Sequence, residues 1–172
     1  MKTTIFRVVL AASVLTLAGC ASAEQASGPM AEHVTVANQW ATAADAGMAA
    51  VFGSIANTGR ADATIVGGSS PQAGRVEIHE VAPDATGAKT MRQKDGGLTV
   101  PAGAAIELIP GGDHLMLMDL TQPLLPGADV TVTLRFDDGS TLPVTAQVRD
   151  FAGGTEEYAP ATHGDQDGHH HG

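Results

Sequence analysis

Val130-Thr131-Val132-Thr133-Leu134-Arg135-Phe136, then Asp137-Asp138-Gly139-Ser140, then Thr141-Leu142-Pro143-Val144-Thr145-Ala146-Gln147-Val148, is the stretch whose pattern decides the fold. Apolar residues alternate with Thr and Arg from Val130 to Phe136, the period of a strand with one buried face. The Asp-Asp-Gly turn returns the chain into Leu142, Val144 and Ala146, so the segment reads as a β-hairpin with one face in the core.

Working outward, strand signals recur at Val34 to Ala37, Met48 to Ala56, Ala63 to Val66, Arg75 to Val81, Leu98 to Val100, Ala105 to Ile109 and His114 to Leu120. Asn57-Thr58-Gly59 and Pro110-Gly111-Gly112 supply turns between them. Many short strands separated by turns predict an all-β sandwich or barrel. With aromatics at only 3% of residues, the core must be built mainly from Val, Leu, Ile and Ala.

The ends read differently. Lys2 and Arg7 precede an apolar run, Val8 to Leu17, which ends in Leu17-Ala18-Gly19-Cys20. That is the layout of a secretory signal, and the run is too short to span a bilayer. The four residues resemble the lipobox of bacterial lipoproteins, which implies removal of residues 1–19 and lipidation of Cys20. Ala21 then resembles the outer-membrane sorting signal of Gram-negative lipoproteins. Residues 20–32 read as a flexible tether, residues 33–152 as one domain, and residues 153–172 as a disordered tail rich in Gly, acid and His.

Net charge is -10, and loss of Lys2 and Arg7 with the signal takes it to -12. Such a surface repels phosphate backbones, so nucleic acid is not an expected partner. Cys20 is the only cysteine. The fold therefore has no internal disulfide and no thiolate for a metal.

Within Val76-Glu77-Ile78-His79, Val76 and Ile78 take the core face and His79 points the other way. In His114-Leu115-Met116-Leu117-Met118, Leu115 and Leu117 share the apolar face, leaving His114, Met116 and Met118 on the opposite one. Taken singly, a Met is core filler and a His a surface residue. Together, imidazole and thioether form the soft, neutral donor set that selects Cu(I). Zinc sites use Cys, His and carboxylate without Met, and a blue-copper centre requires a Cys thiolate that the domain lacks.

The run from Trp40 through Val148 resembles the periplasmic copper chaperone family PCuAC. The family motif is a His, a Met about 11 residues on, and a His-x-Met a little over twenty residues later. His79, Met91, His114 and Met116 match it, with Ser70-Pro71, Gly96-Gly97, Pro101-Ala102-Gly103 and Phe136-Asp137-Asp138-Gly139 in agreement around them. The resemblance implies a cupredoxin-like β-sandwich, a solvent-accessible Cu(I) site on those four residues, and delivery of copper to the CuA centre of cytochrome c oxidase or to its assembly factors. Many members carry a Met directly after the first His, where this chain has Glu80. Met118, about 6.6 Å along the strand from Met116, reads as a packing or reserve residue.

His33 is expected at the surface, Met48 in the core, and Trp40, the single Trp, packed on the sandwich. Ser69, Ser70 and His79 lack any nucleophile-elbow pattern, and there is no Walker loop or dinucleotide fingerprint, so the chain reads as a carrier and not an enzyme. In the tail, His163, His169, His170 and His171, with Asp165 and Asp167, form a harder donor set suited to Cu(II); an appended purification tag is the competing reading. Against delivery stand two alternatives: a copper-sequestering or resistance lipoprotein using the same site, and a structural β-sandwich lipoprotein without metal.

Overall fold

A computed structural model of the chain describes residues 28–151. The expected signal, Cys20, most of the tether and the whole His-rich tail lie outside the described residues. Ten strands follow a single helical turn, α1 (Met30–His33): β1 (Val34–Thr42), β2 (Met48–Asn57), β3 (Ala63–Ser70), β4 (Ala73–Pro83), β5 (Lys89–Gln93), β6 (Leu98–Val100), β7 (Ala105–Leu108), β8 (His114–Leu120), β9 (Asp129–Phe136) and β10 (Thr141–Arg149). Among the described residues no helix is long and apolar enough to cross a membrane.

The strands run β4-β8-β2-β1-β10-β9-β3, and β3 pairs back onto β4. The cupredoxin-like sandwich is thus joined into a closed, barrel-like sheet, which leaves fewer open edges than two separate sheets would. β5 adds to the outer half of β4, β6 to β3 and β7 to β2. All pairs are antiparallel except β1 with β10, which run parallel through Trp40–Gln147, Ala41–Val148 and Thr42–Arg149.

The hairpin forms as its pattern predicts: β9 and β10 pair from Asp129–Gln147 to Arg135–Thr141. Val130, Val132, Leu134 and Phe136 are buried, and they meet Ile55, Ile65, Leu117 and Val148 in the main core. Fully burying each such side chain stabilises the fold by about 1.5–3 kcal/mol.

Strand β5 is absent from the expected elements, because Lys89-Thr90-Met91-Arg92-Gln93 has one apolar residue and no alternation of its own. It becomes a strand by pairing with β4, Val81 opposite Met91 and His79 opposite Gln93. Order also begins earlier than His33, with the turn at Met30–His33.

A β-bulge in β1 shifts the register between Ala37 and Trp40. Asn38 takes φ 55 there, and Gly53 faces the bulge where a Cβ would lie 3.1 Å from the Ala37 carbonyl oxygen. The extra residue re-aims Trp40 so that it pairs with Phe52.

The turn of the hairpin also holds the N-terminal helical turn. Asp138 accepts hydrogen bonds from the Met30 N–H (2.8 Å) and from the Ser140 hydroxyl (2.6 Å) and N–H (2.8 Å). These donors, the Met30 N–H first, hold its carboxyl below the ordinary value of 3.8. A depressed folded-state pKa contributes stability above the unfolded value and loses it as pH falls through the folded one. Asp138→Asn should therefore show a smaller drop in Tm than the parent between about pH 5 and about pH 2. Parallel melting curves for the two proteins over that range would show that Asp138 carries no such contribution.

Candidate metal centre

Strands β4 and β8 lie side by side with His79 opposite His114, Glu77 opposite Met116 and Arg75 opposite Met118. Val76, Ile78, Leu115 and Leu117 point into the main core, as the alternation predicts. The other face gathers His79, His114, Met116 and Met118, and β5 brings Met91 to it. Ala50 and Val81 pack against the three thioethers.

That second face is buried, which differs from the expectation of an accessible site on a solvent face. Exposure is 0% for His79, 3% for His114, 3% for Met116 and 8% for Met91. A cleft of about 190 Å³ reaches Met91, His114 and Met116 between Thr42, Phe52, Pro110, Gly111 and Phe151. His79 and Met118 are not among the residues that line it. Met118 is 5% exposed and packs with the other thioethers. Met48, expected in the core, is 36% exposed and stands at the cleft instead; the β1–β2 pairing stops at Val51, so among the described residues no β1 residue pairs with it.

The two imidazoles are held by opposite nitrogens. The His114 Nδ1–H donates to the Gly112 carbonyl at 3.0 Å. In the neutral ring Nε2 then carries the lone pair, and it lies 3.0 Å from the Met91 Sδ. The His79 Nε2–H donates to Glu77 Oε2 at 2.9 Å, since a carboxylate offers acceptors only. The ring centroids of His79 and His114 are 5.9 Å apart. A soft sulfur in contact with an imidazole lone pair offers two donors of the kind that suits a soft cation. Among the described residues no group of three or more His, Cys, Asp or Glu forms a metal cage, so a centre here depends on thioether donors.

Aromatic rings close the cleft side. The Trp40 and Phe52 centroids lie 4.7 Å apart, Phe52 and His114 5.8 Å, and Trp40 and Phe151 5.2 Å. The Arg149 guanidinium sits over the Trp40 ring.

Glu80, the position where a third thioether was in question, lies on the strand face opposite His79. It accepts from Arg92 at 2.9 and 3.0 Å and from Lys94 Nζ at 3.0 Å. Lys94 also donates to Asp113 at 3.0 Å, which ties β4 and β5 to the residue just before His114. The Lys94 and Arg92 hydrogen bonds hold the Glu80 carboxyl below its ordinary range. Burial opposes the charge on Lys94, yet the bonds to Glu80 and Asp113 raise its pKa above the usual value. These pairs are part-exposed, so each is worth about 0–1 kcal/mol; the network serves alignment more than stability.

Residues 34–148 match the LpqE-like family. The chain is also 44% identical over 153 residues to Lxx21020, named as a lipoprotein, of Leifsonia xyli subsp. xyli (strain CTCB07), covering 87% of this chain and 92% of that protein. This chain belongs to the LpqE-like family. The fold of this LpqE-like chain is that of PCuAC domains, as the sequence resemblance implies. The copper-bound PCuAC domain from PmoF2 aligns with a TM-score of 0.58 at 19% identity, covering 69% of this chain and 94% of that one. CuI-DR1885 from Deinococcus radiodurans aligns at 0.51 with 31% identity, covering 69% and 80%.

Three features of the centre were not singled out from the sequence. Glu77 could have been, because it shares the face of His79 two residues away. Phe52 and Phe151 could not, since only the tertiary pairing of β2 and the path of the chain just after β10 bring them to the cleft that His114 lines. Phe52 is 5% exposed, so Phe52→Ala should cost about 3 kcal/mol or more and red-shift the emission of Trp40, which loses its stacking partner. Denaturant unfolding followed by Trp40 fluorescence checks both, and an unshifted spectrum with a cost below about 1 kcal/mol would contradict this packing.

Proposed function

We propose that this LpqE-like protein is a copper carrier that binds Cu(I) through His79, Met91, His114 and Met116 and hands it to an acceptor outside the cytoplasm. The observation that carries this reading is the approach of the His114 Nε2 to the Met91 Sδ at 3.0 Å, with Met116 and His79 on the same face and no thiolate in the domain. Neutral soft donors hold Cu(I) without the grip of a thiolate cage, so the ion can leave by ligand exchange when an acceptor offers stronger donors. Relatives of the same fold include one with Cu(I) named at 31% identity and one named as copper-bound, which supports copper as the cargo.

The acceptor we infer is a cytochrome c oxidase subunit, at its CuA centre, or an assembly factor for it. Residues 1–19 act as a signal, and lipidated Cys20 tethers the carrier to the membrane through the segment that precedes Met30; the lipoprotein name of the Leifsonia relative supports this. The burial of all four donors favours a second reading, copper sequestration, because buried ligands slow release. Transfer separates the two: the Cu(I)-loaded protein mixed with an apo CuA fragment should lose its copper to it within the mixing experiment, whereas a sequestering protein retains it.

Met91→Leu and Met116→Leu conserve volume and should cost less than about 1.5 kcal/mol of stability, while Cu(I) affinity, measured by chelator competition, falls. Parent-like affinity in both variants would remove the thioethers from the site.

The His-rich tail is assigned a separate Cu(II) site on His163, His169, His170 and His171. Deleting residues 162–172 should abolish tight Cu(II) binding and leave Cu(I) affinity unchanged. Cu(II) binding that survives the truncation would move those ligands into the domain.

A further inference from the structure

Glu77 brings a carboxylate onto a face otherwise made of imidazole and thioether, and its side chain is only 12% exposed. A charge so placed needs partners, and both its oxygens have them. Oε1 accepts from Arg75 Nη1 at 2.7 Å and Oε2 accepts from the His79 Nε2–H at 2.9 Å. Arg75 passes the chain on, donating through Nε to Asp119 Oδ2 at 3.0 Å. Asp119 adopts φ 56, a left-handed conformation within β8, and it faces Gly74, where a Cβ would lie 3.1 Å from the Asp119 Cβ. Strand β4 thus carries glycine where the Asp119 Cβ approaches, and charged side chains of alternating sign from there to the imidazole.

We infer that Glu77 is a positioning residue of the copper site: it fixes His79 as a ligand through Nδ1 and supplies the negative charge that offsets bound Cu(I). The inference rests on the copper reading above. Its geometry complements that of His114, which the Gly112 carbonyl fixes as a ligand through Nε2. The two imidazoles therefore present different nitrogens to one ion, each tautomer set by the hydrogen bond on the far side of the ring. Four neutral donors leave the charge of Cu(I) uncompensated. Glu77 and Asp119 both bond the Arg75 guanidinium, so these three side chains hold two carboxylates against one cation and place a net negative charge beside the imidazole.

The test uses the full-length protein with ring-¹⁵N-labelled histidine and two variants, Glu77→Ala and the isosteric Glu77→Gln. In the metal-free parent, long-range ¹H–¹⁵N correlations should place the His79 proton on Nε2, and Cu(I) should shift Nδ1. Glu77→Ala should mix the tautomers and lower Cu(I) affinity by about 10- to 100-fold in chelator competition, the range for partners of metal-bound histidines. Glu77→Gln keeps an acceptor and should retain the Nε2–H tautomer while binding Cu(I) roughly tenfold more weakly; it decides the question if Glu77→Ala does not fold. A parent His79 protonated on Nδ1, or variants with parent-like Cu(I) affinity, overturns the role of Glu77. A parent that takes up no Cu(I) refutes the copper reading itself, and this inference with it.

Discussion

The antiparallel register of β4 against β8 pairs His79 with His114, Glu77 with Met116 and Arg75 with Met118, and most of what the domain can do follows from it. Because successive side chains point to opposite faces, a slip of one residue in β8 would turn Leu115 and Leu117 out of the main core and drive His114 and Met116 into it, and a slip in β4 would do the same to Val76, Ile78 and His79. The apolar faces of the two strands contribute to a core that also includes Phe136, Ile55 and Ile65. Burial of that core therefore enforces the register, and the register places the donors.

The donor face is itself a small second core. Burying imidazole is unfavourable unless its N–H is hydrogen-bonded, and each ring meets this condition with a different acceptor: the Gly112 carbonyl for His114, the Glu77 carboxylate for His79. The thioethers pose no such problem. Met91, Met116 and Met118 pack as ordinary apolar residues, and their polarisable sulfurs remain available to a soft ion. Each side chain of this face is held by packing or a hydrogen bond within the protein, an arrangement that would lower the ordering cost of binding a ligand there.

Backbone irregularities sit next to this face and have local causes. The bulge at Asn38 turns Trp40 toward Phe52, so the aromatic wall of the cleft depends on one extra residue in β1. The left-handed Asp119 costs about 1–2 kcal/mol, more than an exposed ion pair such as that with Arg75 returns. Such strain is retained where surrounding packing over-determines it, here at the anchor of the chain that leads to His79.

Much of this was legible in the sequence because strand alternation is a local property. The β9–β10 hairpin, the inward set of β4 and β8, and the shared face of His79, His114 and Met116 all follow from period-two patterns and a turn. The PCuAC resemblance, carried by the spacing of His79, Met91, His114 and Met116, pointed to the fold. Alternation does not say whether the second face meets solvent. It was only in three dimensions that β5 laid Met91 beside His114, and that Phe52, Phe151 and Met48 came to line the cleft over the face. β5 has no pattern of its own and exists because β4 offers it hydrogen bonds, so its placement belongs to tertiary structure. Local periodicity determined which residues share a face; contacts between residues far apart in the chain decided which faces are buried, which donors meet and which nitrogen each imidazole presents.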